Sequence, residues 1–214
     1  MKIKKIGHCC LVISYNGVRI MTDPGAFSTE QTEEKNIDII LISHEHQDHF
    51  HLESLKVVLK NNPKVRVLTN SGVGALLRSA GIVFQVLEHG SSGIFSGVPI
   101  EGHGEKHALI YPGWKEVINT GYMIGGQFFY PGDAFYNPQK PVEILALPIA
   151  GPWMKIAEAI DYAKLLKPKA CFSVHDGILN PKFGPVLTNR LCQTLLSPAG
   201  IEWRAVILQE EWSF

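Results

Sequence analysis

The sequence predicts an α/β (α+β) protein of four layers, αββα, in which two packed sheets carry helices on their outer faces. Three observations predict it. Apolar runs of strand length alternate with stretches of helical spacing, and the order of elements in the first half recurs in the second. No charged linker or low-complexity stretch divides the halves. Residues 1–214 therefore read as one domain with internal pseudo-symmetry, a length that α/β units often reach.

The elements follow in order. Leu11–Tyr15 and Val18–Met21 flank Asn16-Gly17, a dipeptide that tolerates the left-handed backbone of a tight hairpin turn. Ile37–Ile42 is almost unbroken apolar sequence, which suits a strand covered on both faces, and Val65–Thr69 is a shorter run of the same kind. Between them Leu52, Leu55, Val58 and Leu59 recur at helical spacing until Asn61-Asn62-Pro63 ends the helix. A second helix runs from Gly72 to Ala80, with Gly81 as its stop.

The second half repeats the scheme. Strands Tyr122–Ile124 and Gln127–Tyr130 flank a Gly125-Gly126 turn, and a buried strand lies near Ile144–Leu147. An amphipathic helix from about Lys155 to Leu166 is closed by Pro168 and followed by strand Ala170–Val174. A helix over Leu187–Leu196 and a strand over Trp203–Leu208 finish the chain.

Composition excludes several classes. Apolar residues make up 45% and charged residues 19%, enough for a sizeable core and against disorder. Twenty Lys and Arg balance twenty Asp and Glu, so no net field draws the chain to nucleic acid or to an anionic membrane. The start, Met1-Lys2-Ile3-Lys4-Lys5-Ile6, lacks the apolar run of a signal peptide, and no later stretch approaches the ~18 apolar residues of a membrane span. The expectation is a cytoplasmic protein without a membrane partner. Cys9, Cys10, Cys171 and Cys192 form no CxxC pair and read as reduced, buried core residues. Trp203 and Trp212 are as well suited to packing as to an interface, so no oligomeric state follows from them.

The chemistry concentrates in His44-Glu45-His46-Gln47-Asp48-His49, three histidines and an aspartate where a buried strand ends and a helix is about to begin. In extended backbone, residues two apart point the same way, so His44 and His46 converge on one ion. Asp48 and His49, at the following turn, aim elsewhere. This spacing suits two neighbouring metals.

Ser43–His49 resembles the HxHxDH signature of the metallo-β-lactamase superfamily, and the family's other motifs occur in order along nearly the whole chain. Asp23 in Thr22-Asp23-Pro24 matches the early Asp, Asp133 in Tyr130-Pro131-Gly132-Asp133 the bridging Asp, and His175 after Ala170–Val174 the last His. Two residues, His103 and His107, can fill the third motif. His107 is preferred, because Gly104-Glu105-Lys106-His107-Ala108 before a Gly-Tyr strand resembles one branch of the superfamily. Gly7-His8 and Pro148–Trp153 are further similar to the compact branch of L-ascorbate-6-phosphate lactonase-like hydrolases.

The resemblance implies the metallo-β-lactamase fold and a dinuclear site: His44, His46 and His107 on one ion, Asp48, His49 and His175 on the other, and Asp133 between them. Asp23 is either a turn residue or an acceptor that orients a ligand His. His8, His51, His89 and His103 are weaker candidates.

His and carboxylate ligands without thiolate suit Zn²⁺, Mn²⁺ or Fe, with zinc the default. Two such ions, roughly 3.5–4 Å apart, supply a bound hydroxide that attacks a small ester, lactone or phosphate-bearing substrate. Asp48, Asp133 and His175 stand at the reacting centre, and Asp176 or His103 is a candidate proton donor. Competing readings are a phosphodiesterase or nuclease, which the neutral charge disfavours, and a di-iron redox scaffold. That scaffold normally brings acidic third-motif ligands and a flavin domain.

Overall fold

A computed structural model describes residues 1–214. Lys2–Lys5 (β1), Leu11–Tyr15 (β2) and Val18–Thr22 (β3) form an antiparallel meander. Its turn at Asn16-Gly17 takes positive φ at both residues, as the dipeptide predicts. Ile39–Ile42 (β4), Arg66–Thr69 (β5) and Gln85–Val86 (β6) then add in parallel, joined by helices Leu52–Asn61 (α1) and Ser71–Ser79 (α2).

The plan repeats. Ser92–Phe95 (β7) and Val98–His103 (β8) form a hairpin, and Gly121–Ile124 (β9) and Phe128–Tyr130 (β10) extend it antiparallel. Ile144–Pro148 (β11), Ala170–Val174 (β12) and Glu202–Arg204 (β13) follow in parallel, with crossover helices Ile156–Leu166 (α3) and Gly184–Leu196 (α4). Glu211–Ser213 (β14) returns to the first sheet and pairs with β1. Two seven-stranded sheets result, ordered β14-β1-β2-β3-β4-β5-β6 and β13-β12-β11-β10-β9-β8-β7.

The unbroken apolar runs are explained by what covers each face. On β4, Ile39 and Leu41 point into the inter-sheet core with Leu68 of neighbouring β5 and with Tyr122 and Phe172 of the other sheet, while Ile40 and Ile42 face Leu55, Val58, Val73 and Leu77 of α1 and α2. Neither face of β4 meets water. β11 divides likewise: Ile144 and Ala146 point into the inter-sheet core, Leu145 and Leu147 toward Ala159, Ala163 and Cys192 of α3 and α4. At about 1.5–3 kcal/mol per large apolar side chain, these layers are the main stabilising element of the fold.

The structure corrects some boundaries. α4 begins at Gly184, three residues before the predicted start, because Pro185 is compatible with a first helical turn. The predicted strand Trp203–Leu208 ends at Arg204, since β12 pairs only Ala170–Phe172 with it. The chain then crosses to the first sheet, where Gln209, at φ 67°, donates its backbone N–H to the Lys5 carbonyl. All four cysteines are free and buried, and no helix is long and apolar enough to cross a membrane.

Candidate metal centre

The loop after β4 is clamped before it reaches its histidines. Ser43 donates its backbone N–H to Asp23 Oδ1 at 2.7 Å, and its carbonyl accepts from Thr120 N at 2.9 Å and Asn70 Nδ2 at 2.7 Å. Both sheets therefore hold the same peptide. A turn in which His49 N and Phe50 N both donate to the His46 carbonyl then carries Asp48 and His49. His51 caps α1, accepting from Ser54 N through Nδ1, and so has a structural task. Gly25 lies against this turn, and a Cβ there would fall 1.8 Å from the Asp48 carbonyl oxygen.

His107, beyond the end of β8, joins His44 and His46; the three ring centroids are 4.7–4.9 Å apart. On the other side, Asp48 Oδ2 lies 3.6 Å from His49 Nε2 and 3.4 Å from His175 Nε2. Asp133 stands between the groups. Its Oδ2 is 3.3 Å from His107 Nε2 and 2.8 Å from His175 Nε2, and its Oδ1 is 3.1 Å from His49 Nε2. Asn119 accepts from Asp133 N, and Trp153 Nε1 donates to Asp133 Oδ2 at 2.8 Å, so both backbone and carboxylate are fixed. Gly132 before it has φ 64° and no room for a Cβ. His175 itself adopts φ 59°, a strained conformation of the kind found where function fixes a side chain.

Nε2 of His44, His49, His107 and His175 and Oδ1 of Asp133 are buried and form no well-aligned hydrogen bond, meeting only one another across the site. Buried polar atoms are rarely left so. The remaining ring nitrogens explain the orientation. His49 Nδ1 lies 2.6 Å from Asp23 Oδ2, and His107 Nδ1 lies 2.5 Å from the Ala108 carbonyl. Both partners are acceptors, so the network assigns the protons to Nδ1 and leaves Nε2 lone pairs facing inward. This is a donor set that fits divalent cations.

Electrostatics agree. Burial pushes the Asp133 carboxyl up, but His49 and His175 outweigh it and hold the group well below the usual carboxylate range. Burial lowers His175, yet Asp133 and Asp48 overcome it and push the imidazole up to about 10. Burial holds His44 and His46 below the usual histidine range, with the neighbouring histidines adding to the shift. The two carboxylates thus demand positive charge, which an ion can supply by displacing protons from the histidines.

The other predicted residues fall elsewhere. Asp23 lies directly behind the site as an acceptor for Ser43, His49 and Tyr130. His103 ends β8 with Nε2 3.3 Å from Glu101 and its ring against Phe129 and Tyr136, away from the clustered nitrogens. Asp176 is held by Lys5 Nζ at 2.6 Å and by Ser173 Oγ, an ion pair rather than a free acid. His89 accepts from Gly104 N. Sequence reasoning passed over Trp153 and Tyr130 as partners of the site, and Cys9, whose thiol clusters with His49 and Asp133. Trp153 and Tyr130 lie in segments that matched family motifs, but nothing in those segments singles out these two side chains, and Cys9 read as ordinary core.

Fold and site together define a metallo-hydrolase of the metallo-β-lactamase superfamily, and the chain belongs to that family: residues 2–175 match the beta-lactamase superfamily domain. Particular relatives narrow the comparison. Protein Rv0786c of Mycobacterium tuberculosis is 30% identical over 198 residues, 90% of this chain and 92% of the relative. A UPF0173 metal-dependent hydrolase of Thermoplasma volcanium is 27% identical over 190 residues, 82% of this chain and 83% of the relative. Among solved structures, Igni18, a metallo hydrolase from the archaeon Ignicoccus hospitalis, matches with a TM-score of 0.77 at 19% identity, over 100% of this chain and 98% of its own. That likeness is one of fold.

Proposed function

We propose that the chain hydrolyses a small, uncharged ester or lactone with the help of two divalent ions, zinc by default. His44, His46 and His107 would hold one ion, and Asp48, His49 and His175 the other, with Asp133 shared. The observation that carries this reading is the set of four inward Nε2 atoms and Asp133 Oδ1 without a well-aligned hydrogen bond. When bound, two such ions acidify a water to a nucleophile at neutral pH and polarise the bond under attack. The chain's own part is to hold that geometry: Trp153 and Asn119 fix Asp133, and Asp23 fixes His49.

Substrate class is supported by the cavity of about 210 Å³ that opens beside His46 and His107. Leu109, Ile110, Trp114 and Val117 form its apolar wall. Its two lysines are already engaged, Lys106 with Glu116 at 2.9 Å and Lys115 with Glu45 at 2.7 Å. Apart from the proposed ions themselves, a phosphate group would find no unpaired cation in this wall; an apolar acyl or alkyl group needs none. His107 in the third position, where redox di-iron relatives would carry an acid, supports hydrolysis over electron transfer.

The test is turnover by protein loaded with Zn²⁺, Mn²⁺ or Fe²⁺, comparing p-nitrophenyl butyrate, simple γ- and δ-lactones, p-nitrophenyl phosphate and bis-p-nitrophenyl phosphate. Metal-dependent opening of esters or lactones, abolished in His46→Ala and Asp133→Ala, is the expected result. Turnover of bis-p-nitrophenyl phosphate alone would make the chain a phosphodiesterase instead.

A further inference from the structure

Distance alone admits His8 to the metal cluster, because a ring nitrogen of His8 lies within 4.8 Å of ligand atoms of Asp48, His49 and His175. Its hydrogen bonds exclude it. Gly177 N donates to His8 Nδ1 at 3.0 Å. A backbone N–H can only donate, so Nδ1 must keep its lone pair, and the proton of the neutral ring sits on Nε2. That Nε2 lies 3.3 Å from Asp48 Oδ2, a carboxylate oxygen that can only accept. His49 and His107 show the opposite arrangement, each giving Nδ1 to an oxygen and keeping an Nε2 lone pair for the site.

We infer that His8 is a positioning residue and not an ion's ligand: its Nε2–H holds Asp48 Oδ2 toward His49 and His175. This rests on the two-ion reading above. The need for such a donor is visible in the geometry. Asp48 sits on a loop with its side chain 21% exposed, and its other close partners are the two Nε2 atoms that would themselves ligate. His8, by contrast, is 1% exposed, and its ring centroid is 4.1 Å from that of His175. Its backbone carbonyl also accepts from His175 N at 3.0 Å. One residue therefore ties Asp48, after β4, to His175, after β12. Gly177 makes this possible, since a Cβ there would come 3.0 Å from the His8 ring.

The experiment is a chelator-competition titration of wild type, His8→Ala, His8→Gln and His49→Gln, with ¹⁵N spectra of the histidine rings before and after Zn²⁺ loading. Removing an outer hydrogen-bond partner of a ligand lowers affinity by roughly 10–100-fold, so His8→Ala should bind its weaker ion that much less tightly and its tighter ion unchanged. His8→Gln, whose amide can donate to Asp48 but is a poor ligand, should recover most of that loss. His8 Nε2 should keep its proton in the loaded protein. Loss of that proton on loading, or a His8→Gln variant as deficient as His49→Gln, overturns the inference while leaving two ions in wild type. Fewer than two ions in wild type overturns the two-ion reading itself, and this inference falls with it.

Discussion

Asp23→Asn isolates the chemistry behind the site without dismantling the fold. Asp23 is fully buried, its Oδ1 accepting from Ser43 N at 2.7 Å and its Oδ2 from Ser43 Oγ, His49 Nδ1 and the Tyr130 hydroxyl. Alanine would strand four donors at about 1–3 kcal/mol each, a total comparable with the ~5–15 kcal/mol that holds a domain folded. Asparagine keeps Oδ1 and replaces only Oδ2. Facing an amide N–H, the hydroxyls of Ser43 and Tyr130 can rotate and accept. His49 Nδ1 can accept only if its proton moves to Nε2, and that removes the lone pair aimed into the site. The variant should therefore fold, lose about 1–3 kcal/mol, and bind its weaker ion roughly 10–100-fold less tightly, or about 1.4–2.8 kcal/mol. Chelator competition reads the affinity, and a denaturant melt followed by circular dichroism reads the fold. A folded variant with both ions at wild-type affinity would show that Asp23 does not set the His49 tautomer.

The raised His175 predicts a pH signature. Its pairing with Asp133 and Asp48 stabilises the metal-stripped protein fully below the ordinary value of 6.5 and fades as pH rises toward about 10. The lowered Asp133 gives stability above its ordinary value of 3.8 that is lost as pH falls. Zn²⁺ must displace the histidine protons, so the rise in melting temperature on Zn²⁺ addition should grow between about pH 5 and pH 8; a rise independent of pH would contradict the displacement. Trp114, 62% exposed, should tolerate alanine without loss of stability. The same change should raise KM for apolar esters roughly two- to twelvefold at unchanged kcat, and an unchanged KM would remove the apolar wall from substrate recognition.

What was legible in the sequence followed from locality. Four ligand-type residues lie within His44–His49, and strand ends carried the reading to Asp133 and His175 through the order of motifs. The layers were legible because β4 and β11 are covered on both faces, which writes an unbroken apolar run. His8 was only weakly marked, because its partners, at Asp48 and Gly177, are brought to it only by packing of the two sheets. β1 was marked only as a strand ahead of Gly7-His8, without bounds, for a related reason. Its lysines suggest a solvated start, yet Ile3 points into the core and Lys5 is buried against Asp176, 171 residues away. β6, two residues long, and β14, across the molecule from β13, leave no periodicity to detect.

The repeated plan explains why the site lies at a common edge of both sheets. Each half carries an aspartate after its last antiparallel strand: Asp23 follows β3 and supports His49, whereas Asp133 follows β10 and faces the histidines. The loop after β4 carries His44, His46, Asp48 and His49, and its counterpart after β11 carries Trp153, which donates to Asp133. After β5, Asn70 braces the Ser43 carbonyl; after β12 comes His175. At equivalent edges, one half supplies proposed ligands where the other supplies the brace. Each proposed ion then takes two residues from the first half and one from the second, besides the shared Asp133. Neither half could hold an ion as the pair does, so binding would add its free energy to the contact between the sheets, the same contact that Ile39, Tyr122 and Phe172 already make.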